Sequence, residues 1–230
     1  MGTALERVRE VAVATAKRAG RLLREQFGRT VAVHYKGKID LVTEMDRASQ
    51  TLIVDTIRAS FREHAILSEE GVAERPGAAE RWIIDPLDGT VNYAHSFPVF
   101  AVSIGVADAQ AVQVGVVYDP MRDELFTAQR GQPAWLNGVR LAVSGTTELQ
   151  RSILATGFPY DRRRNADNNH REFVALNLAS QGVRRAGSAA LDLAYVASGR
   201  LDGYWEQRLG PWDVAAGSLL VECAGGTLST

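Results

Sequence analysis

Two aspartates lie close together after a short apolar run in the segment RWIIDPLDGTVNY, residues 81–93. Asp85 and Asp88 are followed at once by Gly89 and Thr90. Carboxylates this close repel each other unless a proton, a basic side chain or a metal ion lies between them. Gly89 would let the backbone approach a ligand, and a helical turn after it would direct free N–H groups at an anion such as phosphate. The segment therefore suits a metal and phosphate site, and the alternative is that each acid is a helix cap or a surface charge.

Other acidic residues occur where predicted strands or helices begin or end. A carboxylate at the carboxyl end of a strand faces the crevice where α/β sheets usually bind ligands. Several carboxylates that converge without histidine or cysteine favour magnesium over zinc, because magnesium prefers oxygen ligands in octahedral geometry. The histidines show no metal-ligand spacing, so we expect them to be structural or surface residues. The acids concerned are Asp46, Glu69, Asp85, Asp88 and Asp213.

The hydrophobic pattern predicts the elements that must position these acids. Helical spacing of apolar residues predicts a helix over residues 3–27, and Thr43 is a plausible N-cap of a second helix through about Ala59. Consecutive strands followed by β-α alternation indicate layered sheets and helices in one unit with two coupled halves, about residues 1–145 and 146–230. Further predicted strands are 31–35, 65–67, 82–84, 99–107, 111–118, 124–128, 139–143, 152–156, 182–185 and 201–205, and further helices are 167–180, 189–198 and 212–224.

Composition is that of an ordinary globular protein. Apolar residues make up 46% and charged residues 23% of the 230 residues, and the formal net charge is −1. This balance favours neither nucleic acid nor an anionic membrane as a partner. A single cysteine, Cys223, cannot form an internal disulfide, and no apolar run is long enough to span a membrane. We therefore expect a soluble, cytoplasmic protein.

Two long segments resemble the signatures of the inositol monophosphatase family, specifically its bacterial inositol-1-monophosphatase-like members. They are residues 82–93 and residues 212–226. Residues 40–46, 68–70 and 187–190 are also similar to family segments, in the usual order, so the resemblance covers nearly the whole chain. It implies an α/β (α+β) fold, a layered α-β-α-β-α sandwich of the sugar phosphatase type, and magnesium-dependent hydrolysis of phosphomonoesters.

The resemblance implies a role for each acid. Asp85 would bridge two magnesium ions, and a third, more weakly held ion near Glu69 would make the enzyme sensitive to lithium. Thr90, with Asp46 nearby, would orient a metal-activated water that attacks phosphorus directly, with no covalent intermediate. The implied catalytic residues are Thr90, Asp46 and Glu69, and the implied metal ligands are Glu69, Asp85, the carbonyl of Leu87, Asp88 and Asp213.

A substrate pocket is also implied. Backbone N–H groups of Gly89 and Thr90 would hold the phosphate, and Glu206 would hydrogen-bond substrate hydroxyl groups. Lys36 falls where some relatives keep a basic residue near the site, and a solvated surface lysine is an equally good interpretation. The implied substrate contacts are Asp88, Gly89, Thr90, Gly187, Ser188, Ala189 and Glu206.

Inositol monophosphate is the predicted substrate, because the short loop 74–80 and the single Glu206 favour a small polyol. Histidinol phosphate, fructose 1,6-bisphosphate and phosphonucleotides remain alternatives, since relatives share the metal site. An aspartyl-nucleophile phosphatase is a mechanistic alternative, although its aspartates are typically separated by one residue, and here two residues intervene between Asp85 and Asp88.

An alternative of another class is a partner-binding protein of the transcription machinery. The basic run Arg162–Arg164 follows Asp161 and could bind such a partner or a second phosphate, or simply be a solvated loop. The resemblance favours a homodimer. Relatives usually continue beyond the position of Thr230, so we expect a C-terminal tail to be missing.

Overall fold

The computed structural model describes residues 4–29, 33–35, 41–73 and 75–229. Lys36 and Asp40, which the family resemblance includes, lie outside the described residues. The same holds for residues 31 and 32 of the predicted strand 31–35, and for Glu74 of the loop 74–80.

Six α-helices occur in this part of the chain, and the long ones match the predicted segments. The predicted N-cap is confirmed: the Thr43 side chain accepts from the backbone of Met45 and Asp46, and Asp46 accepts from the backbone of Thr43. The helix predicted over 167–180 begins later, at His170. The helices are α1 Ala4–Gln26, α2 Glu44–Ser60, α3 Thr90–Ala94, α4 His170–Ala179, α5 Ala189–Ala197 and α6 Pro211–Cys223, with one 3₁₀ turn at Leu149–Arg151.

Thirteen strands form three sheets in the described residues. β1 Val33–Tyr35 and β2 Leu41–Thr43 make an antiparallel pair. The large sheet has eight strands in the order β10-β9-β8-β7-β6-β5-β3-β4, and its only parallel pair is β3 with β5. Its members are β3 Ala65–Ser68, β4 Gly71–Ala73, β5 Arg81–Asp88, β6 Ala101–Ala107, β7 Val112–Asp119, β8 Glu124–Gln129, β9 Trp135–Leu136 and β10 Val139–Arg140.

The small sheet is wholly parallel. β11 Ile153–Thr156 lies between β12 Gly182–Arg184 and β13 Gly203–Trp205. The connections between its strands contain α4 and α5, as a parallel pair requires. All three strands therefore end at the same edge, which places the residues after Thr156 and Trp205 side by side.

Two apolar cores hold the layers together. α1 and α2 pack on one face of the large sheet around buried residues such as Leu23, Ile53 and Trp82. α5 and α6 pack on its other face around residues such as Phe126 and Leu219. The small sheet packs on α5, and α4 contacts β12. The layer order is thus α-β-α-β-α, which confirms the predicted fold class.

Short edge strands are where prediction and structure differ. β2, β4 and β9 were not predicted, and the strand predicted over 139–143 stops at Arg140. The backbone N–H of Leu141 donates to Ala134, and that of Val143 donates to Ala224 after α6. This segment is therefore held by loop contacts rather than by a strand ladder. None of the helices in the described part of the chain has the length and apolar character that a transmembrane span requires.

Candidate active site

Asp85 and Asp88 lie at the carboxyl end of β5, where the strand is irregular. In a regular strand, residues three apart point to opposite faces. The pairing of β5 with β6 shifts register between Asp85 and Asp88. Such an irregularity re-aims side chains near functional sites. Because of it, both carboxylates reach the same space.

Asp213, in the first turn of α6, completes a cluster with these two aspartates. One oxygen from each of Asp85, Asp88 and Asp213 lies within 4.8 Å of the others. Asp85 and Asp88 are only 2% and 8% exposed. The cluster is thus a set of buried oxygen ligands that suits a hard divalent cation.

Burial and mutual repulsion make these carboxylates hard to ionise in the absence of a cation. Burial, then the charges of Glu69, Asp88 and Asp213, raise the pKa of Asp85 well above its usual value. Burial raises the pKa of Asp88 to about 6. Burial, then the charge of Asp88, raises the pKa of Asp213 to about 7. Bound cations would remove this penalty, because an opposite charge favours the ionised form.

Hydrogen bonds orient each carboxylate of the cluster. Asp85 Oδ1 accepts from the backbone N–H of Leu87 at 3.0 Å. Asp88 Oδ2 accepts from Ser188 Oγ at 2.5 Å and from the backbone N–H of Ala190 at 2.8 Å. Asp213 Oδ2 accepts from the backbone N–H of Gly210 at 2.6 Å. The first turn of α5 therefore docks directly onto Asp88.

Thr90 and Asp46 meet beside the cluster. Thr90 Oγ1 lies 2.8 Å from Asp46 Oδ1 and 3.1 Å from the carbonyl oxygen of Leu87, two acceptors for its single proton. The other oxygen of Asp46 accepts from the backbone N–H of Thr43 at 2.7 Å. Asp46 is 1% exposed and does not line the cavity, so it acts on the site only through Thr90.

Gly89 gives the chain its turn from β5 into α3. Its φ is 99°, a left-handed value that disfavours other residues. A Cβ there would lie 2.9 Å from the carbonyl oxygen of Val99 and 3.3 Å from that of Gly187. α3 begins at the next residue, Thr90, so the helical turn considered from the sequence is present.

A cavity of about 570 Å³ joins these residues to the second half of the chain. Glu69 lines it from the turn after β3, outside the group of three close carboxylates. Glu206 lines it from the segment after β13. The predicted site residues on the lining are Glu69, Asp85, Leu87, Asp88, Gly89, Thr90, Gly187, Ser188, Ala189, Glu206 and Asp213. Every predicted site residue except Asp46 thus borders one cavity.

The carboxylate of Glu206 packs directly against Gly157. A Cβ at Gly157 would lie 2.0 Å from the carboxylate carbon and from both carboxylate oxygens of Glu206. The Tyr204 hydroxyl donates to Glu206 Oε2 at 2.6 Å. Burial raises the pKa of Glu206, and the hydrogen bond from Tyr204 and the charge of Arg185 oppose that rise. Gly157 and Tyr204 therefore decide where this carboxylate lies.

Asn169 joins the two strand ends that carry Gly157 and Glu206. This fully buried side chain donates from Nδ2 to Thr156 Oγ1 at 2.8 Å and to the carbonyl oxygen of Gly157 at 2.6 Å. Its Oδ1 accepts from Trp205 Nε1 at 2.6 Å. Sequence reasoning missed Asn169, because nothing in the local pattern shows that the loop before α4 folds back under β11 and β13.

Asp192 is a second residue that sequence reasoning missed. It lies in α5, is 2% exposed and lines the cavity. Burial, then the charges of Asp88 and Glu206, raise its pKa to about 8, and the charge of Arg185 opposes the rise. The sequence does contain a feature that could have identified it, because Asp192 is the only charged residue in the apolar helix AALDLAYVA.

Three arginines also line the cavity: Arg162, Arg185 and Arg208. Arg208 forms ion pairs with Asp161 at 2.5 Å and with Asp167 at 3.4 Å. Of the basic run 162–164, only Arg162 reaches the lining, and Arg163 and Arg164 are exposed.

Comparison with known proteins agrees with this geometry. Residues 4–230 match the model of the inositol monophosphatase family. Inositol-1-monophosphatase from Synechocystis is 47% identical over 225 residues, which cover 96% of this chain and 77% of the relative. Nus factor SuhB from Escherichia coli is 49% identical over 222 residues, which cover 95% of this chain and 83% of the relative.

A solved structure supports the same assignment. Inositol monophosphatase from Anabaena aligns with a TM-score of 0.87 at 46% identity, over 97% of this chain and 83% of that chain. Similarity in sequence and in three-dimensional structure thus extends over almost the whole chain. This chain therefore belongs to the inositol monophosphatase family and is a metal-dependent phosphatase, a hydrolase of phosphoric monoesters.

Proposed function

We propose that this phosphatase hydrolyses inositol monophosphate to inositol and phosphate, with magnesium held by the carboxylate cluster. The observation that carries the proposal is the cavity itself. Asp85, Asp88 and Asp213 line it with oxygens within 4.8 Å of each other, and Glu206 lines the same cavity from the second half of the chain. A phosphate group suits the aspartate cluster with its bound cations, and a hydroxyl-bearing alcohol suits Glu206. The similarity to inositol-1-monophosphatase from Synechocystis supports this choice of substrate.

The residues present fit two magnesium ions, with a third held more weakly near Glu69. The ligands would be Glu69, Asp85, the carbonyl of Leu87, Asp88 and Asp213, all of them oxygen donors. Raised carboxyl pKa values are what a cation site shows when its cation is removed. When bound, magnesium supplies neutralisation of the phosphate charge and activation of a water molecule.

Thr90 and Asp46 would orient the attacking water. Asp46 is held by Thr43 and accepts from the Thr90 hydroxyl, so the Thr90 oxygen keeps a lone pair for a proton of the water. Glu69 faces the same space from the turn after β3. The water oxygen would bond to phosphorus as the ester bond breaks, and the alcohol oxygen would leave with a proton.

The backbone around Gly89 would position the phosphate, and the second half of the chain would position the alcohol. Free N–H groups of Gly89 and Thr90, at the start of α3, suit phosphate oxygens. Gly187, Ser188 and Ala189 line the cavity beside Asp88, and Glu206 lines the same cavity. Holding both parts in place is what converts a bound ester into a reacting one.

A phosphate-release panel tests the substrate and the metal together. It would compare inositol 1-phosphate, histidinol phosphate, fructose 1,6-bisphosphate and a phosphonucleotide, each with magnesium, calcium or chelator. We expect the highest kcat/KM for inositol 1-phosphate with magnesium, inhibition by lithium, and no release by Asp85→Asn. Faster hydrolysis of another ester, or full activity in chelator, would contradict the proposal.

A second candidate function is binding to the transcription machinery. It is favoured by the 49% identity to Nus factor SuhB, whose name implies such binding. Arg163 and Arg164 are exposed and would be available to a partner. A pull-down with Asp85→Asn and with a triple Arg162–Arg164 to Ser variant would test it. Retention of a partner by Asp85→Asn and its loss from the triple variant would support the candidate, and no retained partner with either would reject it.

A homodimer is also proposed, on the family resemblance alone. Light scattering coupled to size-exclusion chromatography measures it directly. A mass of about twice the 25.0 kDa chain is expected, and a monomeric mass would refute the proposal.

A further inference from the structure

Asp192 is a carboxylic acid at a buried position of α5, where apolar side chains would be expected. The buried residues of α5 other than Asp192 are alanine, leucine and valine. Burying a carboxyl group among them costs free energy unless it forms hydrogen bonds. Asp192 is also outside the three-aspartate cluster, and the hydrolysis described above does not use it.

One carboxyl oxygen of Asp192 has no hydrogen-bond partner in the protein. Five buried side-chain polar atoms of the described residues have no partner, and they belong to Arg9, Thr15, Ser180, Asp192 and Gln207. Only Asp192 and Gln207 line the cavity. The unpartnered atoms are Asp192 Oδ1 and Gln207 Oε1, both oxygens. Gln207 is fixed in this orientation, because its Nε2 donates to Asp167 Oδ1 at 3.0 Å.

These two acceptors lie at the wall that carries Glu206. A buried acceptor without a donor is costly, so nearly all such groups in native proteins are satisfied. Because both residues line the cavity, a ligand there would supply donors that the protein itself does not. Hydroxyl groups of a polyol supply donors of this kind, whereas a phosphate group supplies mainly acceptors.

The charges near Asp192 favour the same class of ligand. The carboxylates of Asp88 and Glu206 lie close enough to act on it, and Arg185 is the cation that faces it. Arg208, also on the lining, is already paired with two aspartates. A second phosphate at this wall would be repelled by the carboxylates of Asp88 and Glu206, and a neutral hydroxyl would not.

We propose that Asp192 is a specificity-determining residue that accepts a hydrogen bond from a hydroxyl group of the substrate's alcohol part. This inference rests on the proposed hydrolysis of a polyol phosphate and deepens it. Gln207 accepts from a second hydroxyl on the same wall. The substrate class is therefore a neutral ring or chain with several hydroxyl groups, carrying a single phosphate.

Two matched esters test the inference: inositol 1-phosphate and cyclohexyl phosphate, which has the same ring size and no free hydroxyl. Asp192→Leu removes the acceptor and keeps the number and branching of the side-chain heavy atoms. We expect kcat/KM for inositol 1-phosphate to fall by about 10- to 100-fold, and that for cyclohexyl phosphate to change by less than about threefold. Asp192→Asn keeps one carbonyl acceptor and should retain most of the activity toward inositol 1-phosphate. Asp55→Asn, an exposed acid on α2, is the charge control.

The outcomes distinguish recognition of the substrate hydroxyl by Asp192 from a structural role of this residue. Equal losses for both esters would show a structural role and overturn the inference, as would unchanged rates for both. If Asp192→Leu does not fold, Asp192→Ala, which also removes the acceptor, is measured with the same two esters, and equal losses for the two again overturn it. Failure of the proposed function is separate, since wild-type protein would then not prefer inositol 1-phosphate over cyclohexyl phosphate.

Discussion

Gly157→Ala tests whether the position of Glu206 matters for turnover. The added Cβ would lie 2.0 Å from the carboxylate carbon and both oxygens of Glu206, whereas ordinary contacts are 3.4–4 Å. The carboxylate must therefore move by more than an ångström. Gly157 does not have a left-handed backbone conformation, so alanine adds a steric clash and no backbone strain.

The expected loss follows from that displacement. A misplacement of about 1 Å can lower a rate by about 100-fold. We expect kcat/KM for inositol 1-phosphate to fall by about 10- to 100-fold, and that for cyclohexyl phosphate by less than about threefold. Overpacking of this kind costs typically about 1–3 kcal/mol of stability, which a 230-residue chain should tolerate.

The assay is steady-state phosphate release with both esters, together with thermal unfolding of each variant. Glu206→Asp in the Gly157→Ala background shortens the acid by one methylene and makes room for the new methyl group. The double variant should recover part of the lost activity. Normal turnover of inositol 1-phosphate by Gly157→Ala, or equal losses with both esters, would refute the reasoning.

The remaining predictions concern the acidic cluster and its anchor on α5. Asp85→Asn should lower kcat by at least about 10³-fold, because both ions lose a ligand, and near-normal turnover at saturating magnesium would contradict this. In chelator, thermal unfolding should show stability falling from about pH 4 to about pH 7, because the raised pKa values of Asp85, Asp88 and Asp213 let the folded state bind more protons than the unfolded chain in that range. Magnesium should accordingly raise Tm more at pH 7.5 than at pH 5, and an equal rise at both would count against a cation among these groups. Ser188→Ala removes a donor to Asp88 and the N-cap of α5, so it should cost about 1 kcal/mol, or about 2–4 °C in Tm.

Local pattern was sufficient for most elements and for the residues contributed by β5. Helical spacing predicted α1, and the capping chemistry of Thr43 predicted the start of α2. The apolar run before Asp85 predicted a strand that the structure extends through Asp88. These signals are local, since a helix face or a strand end is encoded by its own residues.

What the sequence could not show depends on contacts between distant segments. The meeting of Asp85 and Asp88 needs the register shift against β6, which no spacing rule reveals. Asn169 acts only because the small sheet brings Thr156 and Trp205 together. Glu206 was assigned through family resemblance alone. Asp213 was a candidate because it lies where a helix begins, but periodicity gave no reason to place it beside β5.

The most direct test of the account is the anomalous scattering of manganese in crystals soaked with that ion as a probe for magnesium. The account predicts a peak bonded to oxygens of Asp85, Asp88 and Asp213, at about 2.0–2.2 Å. A map with no peak among these three carboxylates, in crystals where manganese binds elsewhere on the protein, would contradict the claim that they form the metal site of this phosphatase.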